Sequence, residues 1–132
     1  MSQNEAVARW VESAESDWDT AKLLFSSGKY AHCLFFCHLF FEKLLKATVV
    51  HQTNEAPPAT HDVEYLANKV NYPVDETIKS QLAEISTFNV EARYDIFKQR
   101  LYKKATKEYT ETYMNHIKKM SAWIRNQLPV SQ

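Results

Sequence analysis

The sequence predicts an all-α protein, an up-and-down antiparallel bundle of four to five helices, and three observations lead to that class. The chain has one glycine, Gly28, in 132 residues, too few for the many tight turns that a β-sandwich of this length requires. Apolar residues recur at spacings of three and four over long segments, as they do on one face of a helix. Loop signals are few, so we expect long helices with short links.

Length and composition indicate one domain that spans residues 1–132, with a core of its own, because 45% of the residues are hydrophobic and 13% are aromatic. The formal net charge is zero, which excludes a global attraction to nucleic acid or to a membrane surface. Residues 93–132 nevertheless hold nine basic residues against three acidic ones. This basic segment is either a solvated face of the last helix or a surface that faces phosphate groups.

The first helix begins at Asn4 or Ser2 and ends at Ser26-Ser27-Gly28, a stop signal. One narrow apolar stripe runs along it, formed by Val7, Val11, Ala14, Trp18, Ala21 and Phe25. The second helix runs from about Lys29 to His51 and is apolar on two sides in its first half. Such a helix is either central in its bundle or covered by a second subunit.

The second apolar side of the second helix predicts an interface between two copies of the chain. We assign Phe35, Phe36, Leu39 and Phe40 to this interface, because large apolar patches on a surface usually mark protein contacts. A homodimer is therefore the expected assembly.

Shorter elements follow the loop at 52–60, which contains Pro57-Pro58. We expect Thr60 to cap a short third helix with its apolar stripe at Val63, Leu66 and Val70. A fourth helix carries Ile78, Leu82, Ile85 and Phe88, and the last one runs from about Gln99 to Leu128. Residues 89–98 show no clear pattern.

Several classes of function are excluded or disfavoured by the pattern of residues. The chain has no apolar run of about 20 residues that could cross a bilayer and no signal-peptide pattern at its start, so we expect a cytoplasmic protein. His32, Cys33, Cys37 and His38 point in different directions on a helix, whereas zinc needs four converging ligands. We therefore predict no metal and no cofactor.

Four short motifs resemble the HEPN domains, named for higher eukaryotes and prokaryotes nucleotide-binding. They are Trp18-Asp19 with Ala21 before a "GKY" turn at 28–30, "EKLLKA" at 42–47, "HDVEYL" at 61–66 and "EARYD" at 91–95. Their order and spacing cover roughly residues 8–125. The resemblance implies a helical bundle that commonly forms a homodimer. It also implies one of three activities: nucleotide binding, a toxin paired with a small nucleotidyltransferase, or a metal-independent ribonuclease.

The ribonuclease branch of that family has a readable signature, an arginine followed after four to six residues by a histidine. No arginine of this chain is followed by a histidine at that spacing; Arg93, for example, is followed there by Lys98, Gln99 and Arg100. We therefore predict no catalytic residues.

The leading hypothesis is a non-catalytic binding or regulatory protein of HEPN type. Its ligand would be a nucleotide or an RNA phosphate, or its partner a small nucleotidyltransferase, as in toxin–antitoxin-like pairs. The candidate ligand-binding residues are Arg93, Tyr94, Asp95, Lys98, Glu42, Lys43, Lys46, His38 and His61. In this hypothesis the Arg93 guanidinium contacts a phosphate, and the rings of Tyr94 and Tyr102 offer a surface on which a base can stack. The alternatives are a divergent ribonuclease that uses His38 or His61 with Arg93, a purely structural dimer, and an Arg93 that only forms ion pairs between helices.

Overall fold

Six helices form the part of the chain that the computed structural model describes, residues 1–129. They are α1 (Gln3–Ser26), α2 (Tyr30–Thr53), α3 (Val63–Lys69), α4 (Glu76–Arg93), α5 (Asp95–Lys104) and α6 (Lys107–Gln127). The predicted all-α bundle is confirmed, with α3 and α5 as short additions to four long helices. The last three residues of the predicted domain lie outside the described residues.

Helix α2 is the central element of the bundle, and each of the other five helices contacts it. Fifteen of its 24 residues are buried, and eight of these lie between Glu42 and Val50, so the burial extends beyond the apolar first half. Its side chains Leu34, Phe41 and Leu45 join the main core cluster with Ile85 of α4 and Ile117 of α6. The sequence left open whether the bundle or a second subunit covers α2, and the bundle covers most of it.

The turn between α1 and α2 makes these two helices antiparallel neighbours. Gly28 adopts a φ of 74°, a left-handed conformation that residues with a Cβ rarely adopt. The Lys29 amide then donates to the Leu24 carbonyl at 2.8 Å, which satisfies a carbonyl that the helix end would otherwise leave unpaired. At the other end of the pair, the Gln3 side chain donates to the carbonyls of Val50 and His51 at 3.0 and 2.8 Å.

Two predicted helix boundaries are wrong, and in both cases a nearby capping residue explains the difference. Asp62, not Thr60, caps α3, since its side chain accepts a hydrogen bond from the Tyr65 amide. The predicted single helix over 99–128 is two helices, because Thr106 has an extended backbone and caps α6 through the Tyr109 amide. The unassigned residues 89–98 contain the end of α4 and the start of α5.

Helix α5 lies on the bundle with few anchors. Leu101 is its one buried residue, and Lys104 ties its end to α4. The Lys104 ammonium lies 2.9 Å from Glu91 and 3.4 Å from Glu84, and it donates to Thr87 at 3.0 Å. Phe97 is partly buried and the remaining side chains of α5 are exposed, so few residues fix the position of this helix.

Of the four residues predicted to form the dimer interface, one lies in the core of the monomer and three lie partly exposed. Phe40 is 2% exposed, and its ring packs 4.7 Å from that of Trp18. Its assignment to an intermolecular interface is wrong, because the α1–α2 contact of the same chain already covers it. Phe35, Phe36 and Leu39 are only partly buried.

Among the helices of residues 1–129, none combines the length and the apolar character needed to cross a membrane.

Candidate functional site

A cavity of about 280 Å³ opens where the first half of α2 faces the end of α4 and the helix α5. Its floor is apolar and its rim carries basic side chains. The described residues that line it are Ala31, His32, Phe35, Phe36, Ala92, Arg93, Lys98, Leu101 and Tyr102. An apolar cavity with a few convergent polar groups is the usual form of a small-molecule site.

Arg93 is the last residue of α4 and lies exposed at the cavity rim. Its guanidinium carbon lies 5.1 Å from the centre of the Tyr94 ring, a distance typical of a cation–π contact. Among residues 1–129 it makes no ion pair and no side-chain hydrogen bond. Its five N–H donors are therefore available to a ligand.

The carboxylates nearest to Arg93 in the sequence are held by lysines. Glu91 accepts a hydrogen bond from Lys104 at 2.9 Å, and Asp95 lies 2.9 Å from the Lys98 ammonium. The hydrogen bond to Asp95 raises the pKa of Lys98, so this rim lysine is charged at neutral pH. Two carboxylates that could have neutralised Arg93 are thus engaged elsewhere.

Aromatic side chains close the mouth of the cavity from both sides. The rings of His32 on α2 and Tyr102 on α5 meet edge to face, with their centroids 6.1 Å apart. Tyr94, which we expected to stack on a ligand, is exposed but does not line the cavity. Tyr102, the other ring that we expected to offer a stacking surface, does line the cavity, whereas sequence reasoning missed His32. The signal that could have found His32 is its helical spacing from Phe35 and Phe36, three and four residues on.

A second polar cluster surrounds Glu42, two turns further along α2, and its members do not line this cavity. The Glu42 side chain accepts from Lys46 at 2.8 Å and from His61 Nδ1 at 3.0 Å. Glu42 and Lys46 are only 3% and 7% exposed. His61 is the exposed member of the cluster, so the cluster ties the segment before α3 to the central helix.

His38 completes this cluster from a fully buried position. Its Nε2 lies 2.9 Å from the carbonyl oxygen of His61, so that nitrogen must carry the proton and donate. Its Nδ1 lies 3.5 Å from the Glu42 carboxylate and has no hydrogen-bond partner among the described residues. Burial lowers the pKa of His38 to about 4, although the charge of Glu42 opposes the shift. His38 is therefore neutral at pH 7.

The predicted ligand-binding residues thus fall into two groups. Arg93 and Lys98 line the cavity, and Tyr94 and Asp95 stand beside it. The residues of the "EKLLKA" motif make contacts within the bundle, since Lys43 also pairs with Asp17 of α1 at 2.7 Å. No group of three metal-ligating side chains converges within residues 1–129, and Cys33 and Cys37 are free buried thiols there.

The buried neutral state of His38 predicts that acid destabilises the fold. Between pH 6.5 and about 4 the unfolded chain binds a proton at this histidine and the folded chain does not. The free energy of unfolding should therefore fall as the pH falls through this window, by about 3 kcal/mol from this residue alone. Urea denaturation of the wild type and of His38→Gln at pH 7, 5.5 and 4 measures the effect.

The pH dependence of His38→Gln should be weaker than that of the wild type, because glutamine can still donate to the His61 carbonyl but does not titrate. His32→Gln is the matched control on the same helix, at an exposed position, and should retain the wild-type pH dependence. Identical pH dependence in His38→Gln and the wild type would show that His38 is not the responsible group.

Comparisons with known proteins give one family, from a sequence model, and one similar fold, from a solved structure. The HEPN domain model matches residues 7–127, and no curated protein sequence matches significantly. Among solved structures, that of TT1696 from Thermus thermophilus superposes with a TM-score of 0.78 at 17% identity. The match covers 92% of this chain and 98% of that one. That likeness concerns the fold, whereas the family match spans nearly all of the sequence. The chain belongs to the HEPN domain family.

Proposed function

We propose that this HEPN protein binds an anionic ligand, a nucleotide or an RNA phosphate, in the cavity between α2, α4 and α5, and that it does so without catalysis. The observation that carries the proposal is the Arg93 guanidinium, which lies at the rim of an apolar cavity without a carboxylate partner among the described residues. A guanidinium can hold a phosphate by two parallel hydrogen bonds. Lys98 adds a second positive charge at the same rim.

The charge distribution supports this position for the ligand. The net charge is zero, so only local charge can attract an anion. Lys104 is engaged with two glutamates and Lys98 pairs with Asp95, whereas Arg93 lies at the cavity rim without a carboxylate partner among the described residues. The attraction should be sensitive to salt, because the rim is exposed and the ionic atmosphere screens it.

Replacing Arg93 with alanine should weaken the binding of ATP and of a short RNA by about tenfold or more, the usual effect of losing a charged hydrogen-bond donor. The affinity of Arg93→Lys should lie between those of the wild type and Arg93→Ala, because lysine keeps the charge and loses the paired donors. Calorimetric titration at low and moderate salt measures these affinities.

Arg100→Ala is the matched control for Arg93→Ala. Arg100 is also exposed and also stacks on a ring, that of Phe97 at 5.2 Å, but it does not line this cavity. Its replacement should leave binding within about twofold of the wild type, because its side chain lies outside the cavity lining and contributes only a screened charge. Equal affinities for Arg93→Ala and the wild type would assign Arg93 a structural role.

The ribonuclease alternative needs a histidine near Arg93. His38 and His61 are held in the Glu42 cluster, and of the described histidines only His32 lines the cavity. No carboxylate within residues 1–129 holds the His32 ring, whereas general bases are usually oriented by such a partner. We therefore expect no cleavage of a mixed RNA pool in EDTA. Cleavage that disappears in both Arg93→Ala and His32→Ala would contradict this expectation.

We also propose that two copies of the chain pair through the surface around α5. Ile96 of α5 is 82% exposed, and Tyr94, which directly precedes this helix, and Val90 in the last turn of α4 are also exposed large side chains. The partly buried Phe35 and Phe36 line the adjacent cavity. An apolar patch of this kind on a small protein usually marks an interface. A small nucleotidyltransferase is the alternative partner for the same surface.

Sedimentation at micromolar concentration should give about twice the chain mass of 15.4 kDa. Ile96→Asp should shift the protein toward monomer, since it places a charge in the proposed contact. Leu23→Asp is the control, at a position that is 70% exposed on α1. A monomeric wild type, or an equal effect of both substitutions, would rule out this dimer and leave the surface to a different partner.

A further inference from the structure

The side chains that line the cavity between α2, α4 and α5 are rich in hydrogen-bond donors and poor in acceptors. Its polar side chains are Arg93, Lys98, His32 and Tyr102, and the other described lining residues are apolar. No carboxylate, carboxamide, serine or threonine side chain occurs among those nine residues. Arginine and lysine only donate hydrogen bonds, so the side-chain acceptors are limited to a neutral histidine nitrogen and the tyrosine hydroxyl.

Recognition of a particular base requires a more balanced set of groups. The edges of adenine, cytosine and guanine present amino groups, which donate, beside ring nitrogens or carbonyls, which accept. A site that distinguishes bases therefore places both acceptors and donors at the base edge. Aromatic faces, by contrast, stack on any base with little preference. His32, Phe35, Phe36 and Tyr102 supply such faces here.

Nearby carboxylates do not supply the missing acceptors. Asp95 is engaged by Lys98 at 2.9 Å and Glu91 by Lys104 at 2.9 Å, and neither residue lines the cavity. The hydroxyl of Tyr102 stands on an exposed side chain, where water competes for it. The lining side chains therefore provide strong contacts for an anion, apolar contacts for a flat body, and few acceptors for hydrogen bonds to the edge of a base.

We infer that this cavity selects its ligand by a phosphate group joined to a flat apolar or aromatic body, and that it does not discriminate between the four bases. The inference rests on the proposed function and narrows it to a class of ligand, the monophosphate esters of planar bodies. Arg93 holds the phosphate at the rim, beside the ion pair of Lys98 and Asp95, and the body lies against the rings of the cavity.

Calorimetric titration of the full chain with AMP, GMP, CMP and UMP, with phenyl phosphate and with inorganic phosphate tests this inference. The affinities of the four nucleotides should agree within about threefold. A site whose side chains form hydrogen bonds to the base edge would instead give affinities that differ by about fivefold to 150-fold. Phenyl phosphate should bind within about tenfold of the nucleotides. Inorganic phosphate should bind at least about tenfold more weakly, because it lacks a body that stacks.

Tyr102→Ala provides the matched variant, because this side chain lines the cavity at its exposed mouth and its loss should not affect folding. This substitution should weaken the binding of the nucleotides and of phenyl phosphate by about fivefold or more and leave the affinity for inorganic phosphate unchanged. Arg93→Ala should weaken the binding of every one of these ligands. Circular dichroism of both variants checks that the helices remain.

Three results would overturn the inference. A preference of about tenfold or more for one base would show that the cavity reads base edges. Equal binding of inorganic phosphate and the esters would show that the flat body contributes nothing. These first two results contradict the inference but not the proposed function, as long as Arg93→Ala weakens binding. If none of these anions binds the wild type, the proposed function fails and the inference fails with it.

Discussion

The burial of α2 on nearly every side is the constraint on which the rest of the structure depends. Every other helix contacts α2, so its polar residues must find partners inside the bundle. A buried ion pair costs desolvation energy unless additional hydrogen bonds satisfy it. Glu42 and Lys46 meet this requirement through each other and through His61. The charged residues that follow the apolar half of α2 therefore pair with one another and with His61 inside the bundle.

The same constraint explains why a cavity occurs at the first half of α2. Long helices cover that helix elsewhere, but the side with Phe35 and Phe36 faces α5, which has ten residues and one buried side chain. A short helix held mainly by Phe97, Leu101 and Lys104 does not fill the groove between α2 and α4. The result is a cavity with an apolar floor, next to a surface on which Ile96 is almost fully exposed.

Charge pairing on α4 and α5 decides which cations remain for a ligand. The sequence places nine basic residues in 93–132, which alone indicates a broad basic surface. In the structure, Lys104 is engaged with Glu84 and Glu91. Arg93 lies at the cavity without an acidic partner in the described part of the chain. A balanced net charge thus coexists with a local site for an anion, because pairing is a local property.

The sequence by itself determined the all-α class, the antiparallel pairing of α1 and α2, and the family, since these follow from periodicity, Gly28 and short motifs that are local in the chain. It did not determine that Thr106 divides the last helix, that Phe40 packs inside the monomer, or that His32 and Tyr102 meet across a cavity. Helical periodicity states which face a side chain occupies but not what covers that face. Only the tertiary structure decides that, because the covering groups come from segments far apart in the sequence.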